Sequence, residues 1–201
     1  MQTSHARHAP ATARNRDPIL AVLRDILPPR GLILEIASGT GEHARYFAEQ
    51  LPHLDWQPTD PDPDALASIA AWCTDAPNVR PPLALDASAP DWPVTEADAV
   101  VCINMVHISP WSATEGLFAR AARLLGEGDP LYLYGPYRRA GAPTAPSNEA
   151  FDASLKAQNP AWGLRQLEDV AALAERCGFR FDRLAEMPAN NLSLAFRRAR
   201  T

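Results

Sequence analysis

LILEIASGTGEHARYF (residues 32–47) passes from one periodicity to another. Residues 32–36 are apolar except for Glu35, as in a short buried strand, whereas Ala44, Phe47, Ala48 and Leu51 recur at helical spacing. Small residues fill the turn between them. Gly39 and Gly41 are present, and Ala37 stands where a nucleotide-binding loop often has its first glycine. A glycine-bearing turn between strand and helix lets backbone N–H groups approach a ligand with no Cβ in the way. The stretch thus predicts the first βα unit of a parallel sheet, with a ligand at its turn.

The same alternation extends outward. Upstream, "DPILAVLRDIL" predicts a helix with Asp17 as N-cap, Pro18 at its first position and apolar residues at 19, 20, 23, 26 and 27. Residues 1–14, with His5 and His8, read as a loose polar tail, and 15–201 as a single domain. Downstream, "LDWQPTD" reads as a strand and "DPDALASIAAWC" as a helix opened by Asp62 and Pro63. "VRPPLALD" is a weak strand suited to an edge, and "ADAVVCINMV" is the strongest strand of the chain. "SPWSATEGLFARAARLL" follows as a helix in which Ser112 and Glu115 have the spacing of a capping box. "DPLYLYGPY" is a fifth strand, and "LRQLEDVAALAERCGF" a helix ended by Gly178. "FRFDRLAEM" and "LSLAFRR" are two strands joined through "PANN". The fold class is α/β: a doubly wound, mostly parallel seven-stranded sheet with an antiparallel C-terminal hairpin, Rossmann-like in layout. Residues 138–163, polar and proline-bearing with one short helix from about 147 to 158, interrupt the alternation and predict a lid-like insertion over the sheet's mouth.

Composition narrows the classes of function. The chain carries 19 Lys and Arg against 24 Asp and Glu, a net charge of −5 without a basic stripe, which argues against nucleic acid as partner. Its three cysteines are isolated, without metal-ligand spacing, and read as buried apolar residues of a reducing compartment, so no metal site is expected. No apolar run reaches the roughly 18 residues of a membrane span, and no signal-peptide core precedes the domain; a cytoplasmic location is the expectation. The 20 prolines are dispersed and punctuate loops.

Two ligand classes use a turn of this kind. The dinucleotide pattern G-x-G-x-x-G lacks its third glycine here, and Glu35 before the loop and Glu42 after it would face a pyrophosphate unfavourably. Glu35, Ala37, Gly39 and Gly41 instead resemble E/D-x-G-x-G-x-G, the first motif of class I methyltransferases. These take S-adenosyl-L-methionine, a cation without phosphate that tolerates nearby carboxylates. The resemblance implies cofactor contacts from that loop, Ser38 included. It further implies that Asp60, closing the second strand, takes the ribose hydroxyls. Asp86, with Ala87, closes the third near the adenine amino group, and Asn104 and Met105 close the fourth against the cofactor. An alanine with negative φ would suit position 37.

The blocks "ARNRDPIL", "LEIASGTGEHARYFA", "WQPTDPD", "INMVHISPW", "YGPYR", "APSNEAFDASLKAQNPAWG" and "MPANNLSLAFRR" together resemble a small family of methyltransferase-like proteins that includes methyltransferase-like protein 26. The resemblance spans about residues 10–198 and supplies no substrate. Methyl transfer is an in-line displacement, so the protein must align the acceptor and exclude water; a base is needed only where the acceptor loses a proton. His107, Tyr134, Tyr137 and Asn191 are the catalytic candidates past the strand ends, and Arg16 (or Arg14) is placed to pair with the cofactor's carboxylate. The fourth strand has no "NPPY"-type sequence of the adenine- or glutamine-methylating classes. The expected acceptor is a small molecule or peptide. The alternative reading is a cofactor-binding module without catalysis, acting as partner or sensor.

Overall fold

The computed structural model describes residues 6–200. Helix α1 (Pro10–Ile26) precedes strand β1 (Gly31–Ile36), which leads into α2 (Glu42–Gln50). Then come β2 (Leu54–Asp60), α3 (Pro63–Trp72), the two-residue β3 (Leu83–Ala84), β4 (Ala99–Ile103), α4 (Trp111–Leu124) and β5 (Pro130–Gly135). After β6 (Tyr137–Arg138), α5 (Pro146–Gln158) and β7 (Arg165–Gln166), the chain closes with α6 (Leu167–Arg176), β8 (Phe179–Met187) and β9 (Asn191–Arg198). The main sheet has seven strands in the order β3-β2-β1-β4-β5-β9-β8. β1 pairs in parallel with both β2 and β4, and β9 runs antiparallel to β5 and β8. β9 thus lies inside and β8 takes the edge. The order reverses beside β1, which puts the switch point of the sheet at the glycine loop.

Alternation along the strands builds two cores. Leu34, Ile36, Val100 and Cys102 pack against α4 and α6 through Leu117, Phe118 and Val170. Ile33, Val101 and Tyr132 face α1, α2 and α3 through Leu23, Phe47 and Ile69. Each such apolar side chain, fully buried, contributes about 1.5–3 kcal/mol. The burial explains why β4 reads as an unbroken apolar run.

Three expectations about helix ends are corrected. α1 starts at Pro10, before Asp17 and Pro18, and Pro18 lies inside it. The buried stripe of α1 continues upstream through Asn15 and Thr12, polar residues that an apolar periodicity does not register. Residues 10–14 are therefore helical rather than loose. His8 lies edge-on to Trp72, with ring centroids 5.0 Å apart, and His5 lies outside the described residues. α4 begins at Trp111 after Pro110, with no side-chain cap, so Ser112 and Glu115 form no capping box. Asp62 does cap α3, its side chain accepting from the Asp64 N–H, and Gly178 follows the end of α6 with φ of 81°.

The 138–163 segment is tied down. Arg138 grips Glu149 through two bonds of 2.7 and 2.6 Å and reaches Asp152 at 2.9 Å; Lys156 meets Asp152 at 2.6 Å. The Leu164 N–H donates to Asp152 and the Gly163 N–H to the His107 carbonyl. No helix among the described residues is long and apolar enough to cross a membrane.

Candidate functional site

The carboxyl ends of β1, β2 and β4 and the loop after β3 enclose a cleft of about 620 Å³. Its floor comes from the turn after β1. Ala37, Gly39 and Gly41 have φ of 58°, 58° and 89°, three left-handed positions in alternation. Ala37 therefore does not adopt the negative φ expected of an alanine, and the conformation costs about 1–2 kcal/mol. Gly39 is exposed to the cleft and a Cβ there would meet nothing within 4 Å. Gly41 works differently: a Cβ would come within 2.6 Å of the Ile69 Cα, so its absence lets α2 and α3 approach, and Gly41 does not line the cleft.

Asp60, 7% exposed, anchors the turn. One carboxylate oxygen accepts from the Gly39 N–H at 2.9 Å and the other from the Asp62 N–H at 3.0 Å, and burial raises its pKa. Both oxygens keep a further lone pair for a ligand. Asp86 is exposed, and one oxygen accepts from the N–H and hydroxyl of Ser88 at 2.8 and 2.7 Å. Ala87, Asn104 and Met105 also line the cleft; Asn104 follows β4 in a left-handed conformation with φ of 62°.

Other residues assigned to the cofactor lie elsewhere. Glu35 is buried beneath the loop, where Trp56 donates an indole N–H at 2.8 Å, and burial pushes its carboxyl up to about 7. Ser38 stitches the loop to β2: its N–H donates to the Thr59 carbonyl, and its hydroxyl accepts from the Thr59 N–H. Arg16 stacks 4.4 Å over the Tyr46 ring beside a separate surface hollow. These three do not line the cleft, because Glu35 and Ser38 point into the fold and Arg16 lies on an outward face of α1.

None of the four catalytic candidates lines it either. Tyr134 is buried beside Asn15, whose side-chain oxygen pairs with the His43 ring nitrogen at 2.8 Å. Tyr137 is a core aromatic whose buried hydroxyl has no partner among the described residues. Asn191 donates to the Pro188 carbonyl in the β8–β9 turn, beside a smaller hollow of about 170 Å³. His107 is 4% exposed, between the backbone of Gly135 and the ring of Phe151, and burial holds its pKa down to about 4. Among the described residues neither of its ring nitrogens has a hydrogen-bond partner, and no His, Cys, Asp and Glu cluster could hold a metal.

The cleft also contains residues that sequence reasoning assigned no ligand role. Pro61 and Asp62 follow Asp60 directly, so their place beyond the end of β2 was a usable signal. Ile108, Ser112 and Trp162 come from the loop after β4, from α4 and from the insertion. Gly116 shapes the cleft indirectly: a Cβ would overlap the Ala87 carbonyl oxygen, so glycine lets α4 close on the loop after β3. A glycine in mid-helix was the available sign.

The chain matches, over residues 6–198, the family described as "Protein of unknown function (DUF938)". It belongs to that family. In shape it is similar to an O-methyltransferase family protein from Burkholderia thailandensis, with TM-score 0.78 and 16% identity over 94% of this chain and 57% of the other. It is similar to CalO1, described as a methyltransferase in calicheamicin biosynthesis in SAH-bound form, with TM-score 0.74 and 14% identity over 94% and 54%. A putative methyltransferase from Bacillus halodurans matches with TM-score 0.70 and 17% identity over 90% and 99%. The chain spans little more than half the length of the first two. At such identities the likeness establishes a methyltransferase-type fold.

Proposed function

We propose that this DUF938 member is an S-adenosylmethionine-dependent methyltransferase whose cofactor lies in the cleft at the ends of β1, β2 and β4. The observation that carries the reading is the character of the lining: the carboxylates of Asp60 and Asp86, neither of them ion-paired among the described residues, and Asp62, which Arg7 meets from outside the cleft at 3.5 Å, stand among apolar side chains, with no lysine or arginine among the lining residues. Such walls suit a cationic ligand and oppose a pyrophosphate. The loop donors a phosphate would need are already used, since the Gly39 N–H serves Asp60 and the Gly41 N–H serves the Ser38 carbonyl. This disfavours a nicotinamide oxidoreductase. The volume falls within the ~300–1,000 Å³ usual for small-molecule sites, and Gly39 leaves its floor open.

When bound, the cofactor supplies a methyl group activated by sulfonium. Asp60 offers its free lone pairs to the ribose hydroxyls and Asp86 its second oxygen to the adenine edge. Asn104 and Met105 would hold the cofactor at the end of β4, and Ile108 and Trp162 would shield it from water. His107, neutral at pH 7 and without a side-chain hydrogen-bond partner among the described residues, is the proposed proton acceptor; Phe151 must move aside for an acceptor to reach it. The acceptor is a small molecule or peptide. The resemblance to the family that includes methyltransferase-like protein 26 supports the same cofactor.

One observation favours a second reading. All four catalytic candidates lie outside the cleft, as in a cofactor-binding module that carries out no transfer. Incubation with cell extract and labelled methyl donor separates the two. The enzyme reading predicts a labelled product that falls by about 100-fold or more with His107→Ala; cofactor binding without any product supports the module.

A further inference from the structure

A second cleft, of about 550 Å³, lies between the N-terminal end of α4, the β6–β7 pair, α5 and α6. Its chemistry is opposite to that of the first. Arg138, Lys156, Arg165 and Arg176 line it, with Asp169 the one acid among the lining residues. Arg138 and Lys156 are neutralised by Glu149 and Asp152. Arg165 and Arg176 form no ion pair among the described residues, although the chain as a whole is acidic.

Arg165 is held in place without being neutralised. One terminal nitrogen donates to the Ser109 carbonyl at 2.8 Å and the Ala161 carbonyl at 2.7 Å, and the guanidinium carbon lies 5.8 Å from the centre of the Trp111 ring. Carbonyl oxygens orient a guanidinium but leave its full charge, so the second terminal nitrogen is free to donate. On α6, residues 169, 172 and 176 recur at the spacing of one helix face, and Ala172 leaves the floor between the two charged side chains open. Arg165, already ordered, and the exposed Arg176 offer two unneutralised cations to one cleft, and the ordering of Arg165 is in place before a ligand arrives.

We propose that this cleft is an oxyanion site, with Arg165 and Arg176 as ligands to the phosphate or carboxylate groups of a small metabolite. It does not rest on the methyltransferase reading. Ser109, whose carbonyl orients Arg165, also lines the first cleft, so the two sites share a wall.

Titration of the full chain with inorganic phosphate and with citrate, against sodium chloride at matched ionic strength, tests it. The readout is the indole N–H resonance of Trp111, assigned with Trp111→Phe. The expected result is a saturable shift with a dissociation constant of about 1 mM or tighter for at least one probe. Phosphate alone would identify a phosphorylated ligand and citrate alone a carboxylate. Arg176 is exposed and unbonded, so Arg176→Gln should weaken binding about tenfold without disturbing the fold. Ala172→Glu should abolish binding, and Arg24→Gln, on the far side of the sheet, should leave it unchanged. Shifts that track chloride, or that survive both cleft variants, would show a salt effect only and overturn the proposal.

Discussion

Ala37 holds a left-handed conformation that glycine adopts freely. Ala37→Gly should therefore raise stability by about 1 kcal/mol, read as a higher urea midpoint at unchanged slope; a lower midpoint would mean that the methyl group's packing outweighs the strain. Glu35 gives a pH signature. Its pKa is raised from 4.5 to about 7, so the folded protein binds more protons than the unfolded chain between those values. Its contribution is intact below pH 4.5 and is lost as pH rises through 7, by up to about 3 kcal/mol. Glu35→Gln still accepts from Trp56 and should be the more stable protein at pH 8, with the advantage vanishing at pH 4.5. Thermal unfolding of both proteins at the two pH values measures it, and equal differences at both would place the titration elsewhere. Neither effect is legible in the sequence. A strand-end glutamate next to a glycine loop reads as a ligand, and only the fold shows Trp56 beneath it.

At the scale of elements, strands and helices followed from periodicity because burial on both faces of the sheet selects apolar runs. Helix starts were less legible: α1 begins eight residues upstream of Pro18, the expected first residue, its inward positions there occupied by Thr12 and Asn15. The glycines show how one motif serves two tasks. Gly41→Ala forces Cβ against the backbone of Ile69 and should cost about 2 kcal/mol or more, seen as an earlier thermal midpoint. Gly116→Ala presses α4 against the Ala87 carbonyl. It should lower ligand affinity at the first cleft by displacing the Asp86–Ala87 wall, measured as a larger dissociation constant. Unaltered affinity in that variant would mean that this wall makes no contact. The insertion was visible as a break in alternation, but its anchoring was not. Arg138, Glu149, Asp152 and Lys156 are separated in sequence by spacings that signal nothing until α5 packs beside β6.

The whole molecule gathers one acidic cleft and one basic cleft around the loop after β4, within a chain whose composition shows only a moderate negative charge. Composition averages such patches away, and this is why the second cleft had no sequence signal while the first could be read from four strand ends. None of the catalytic candidates lines the first cleft, and of the cofactor candidates Arg16, Glu35, Ser38 and Gly41 do not either. Strand ends are fixed by the sheet, whereas a side chain two to four residues beyond them can turn into the core, as Tyr137 does, or behind a neighbour, as His107 does behind Phe151. The central claim is the ligand of the first cleft. Calorimetric titration of the protein with S-adenosylmethionine, S-adenosylhomocysteine and NAD should give dissociation constants on the order of micromolar for the two adenosyl compounds and none for NAD, with Asp60→Ala weakening the first two by about tenfold or more. Binding of NAD in preference to both, or no binding by either adenosyl compound, would contradict the account.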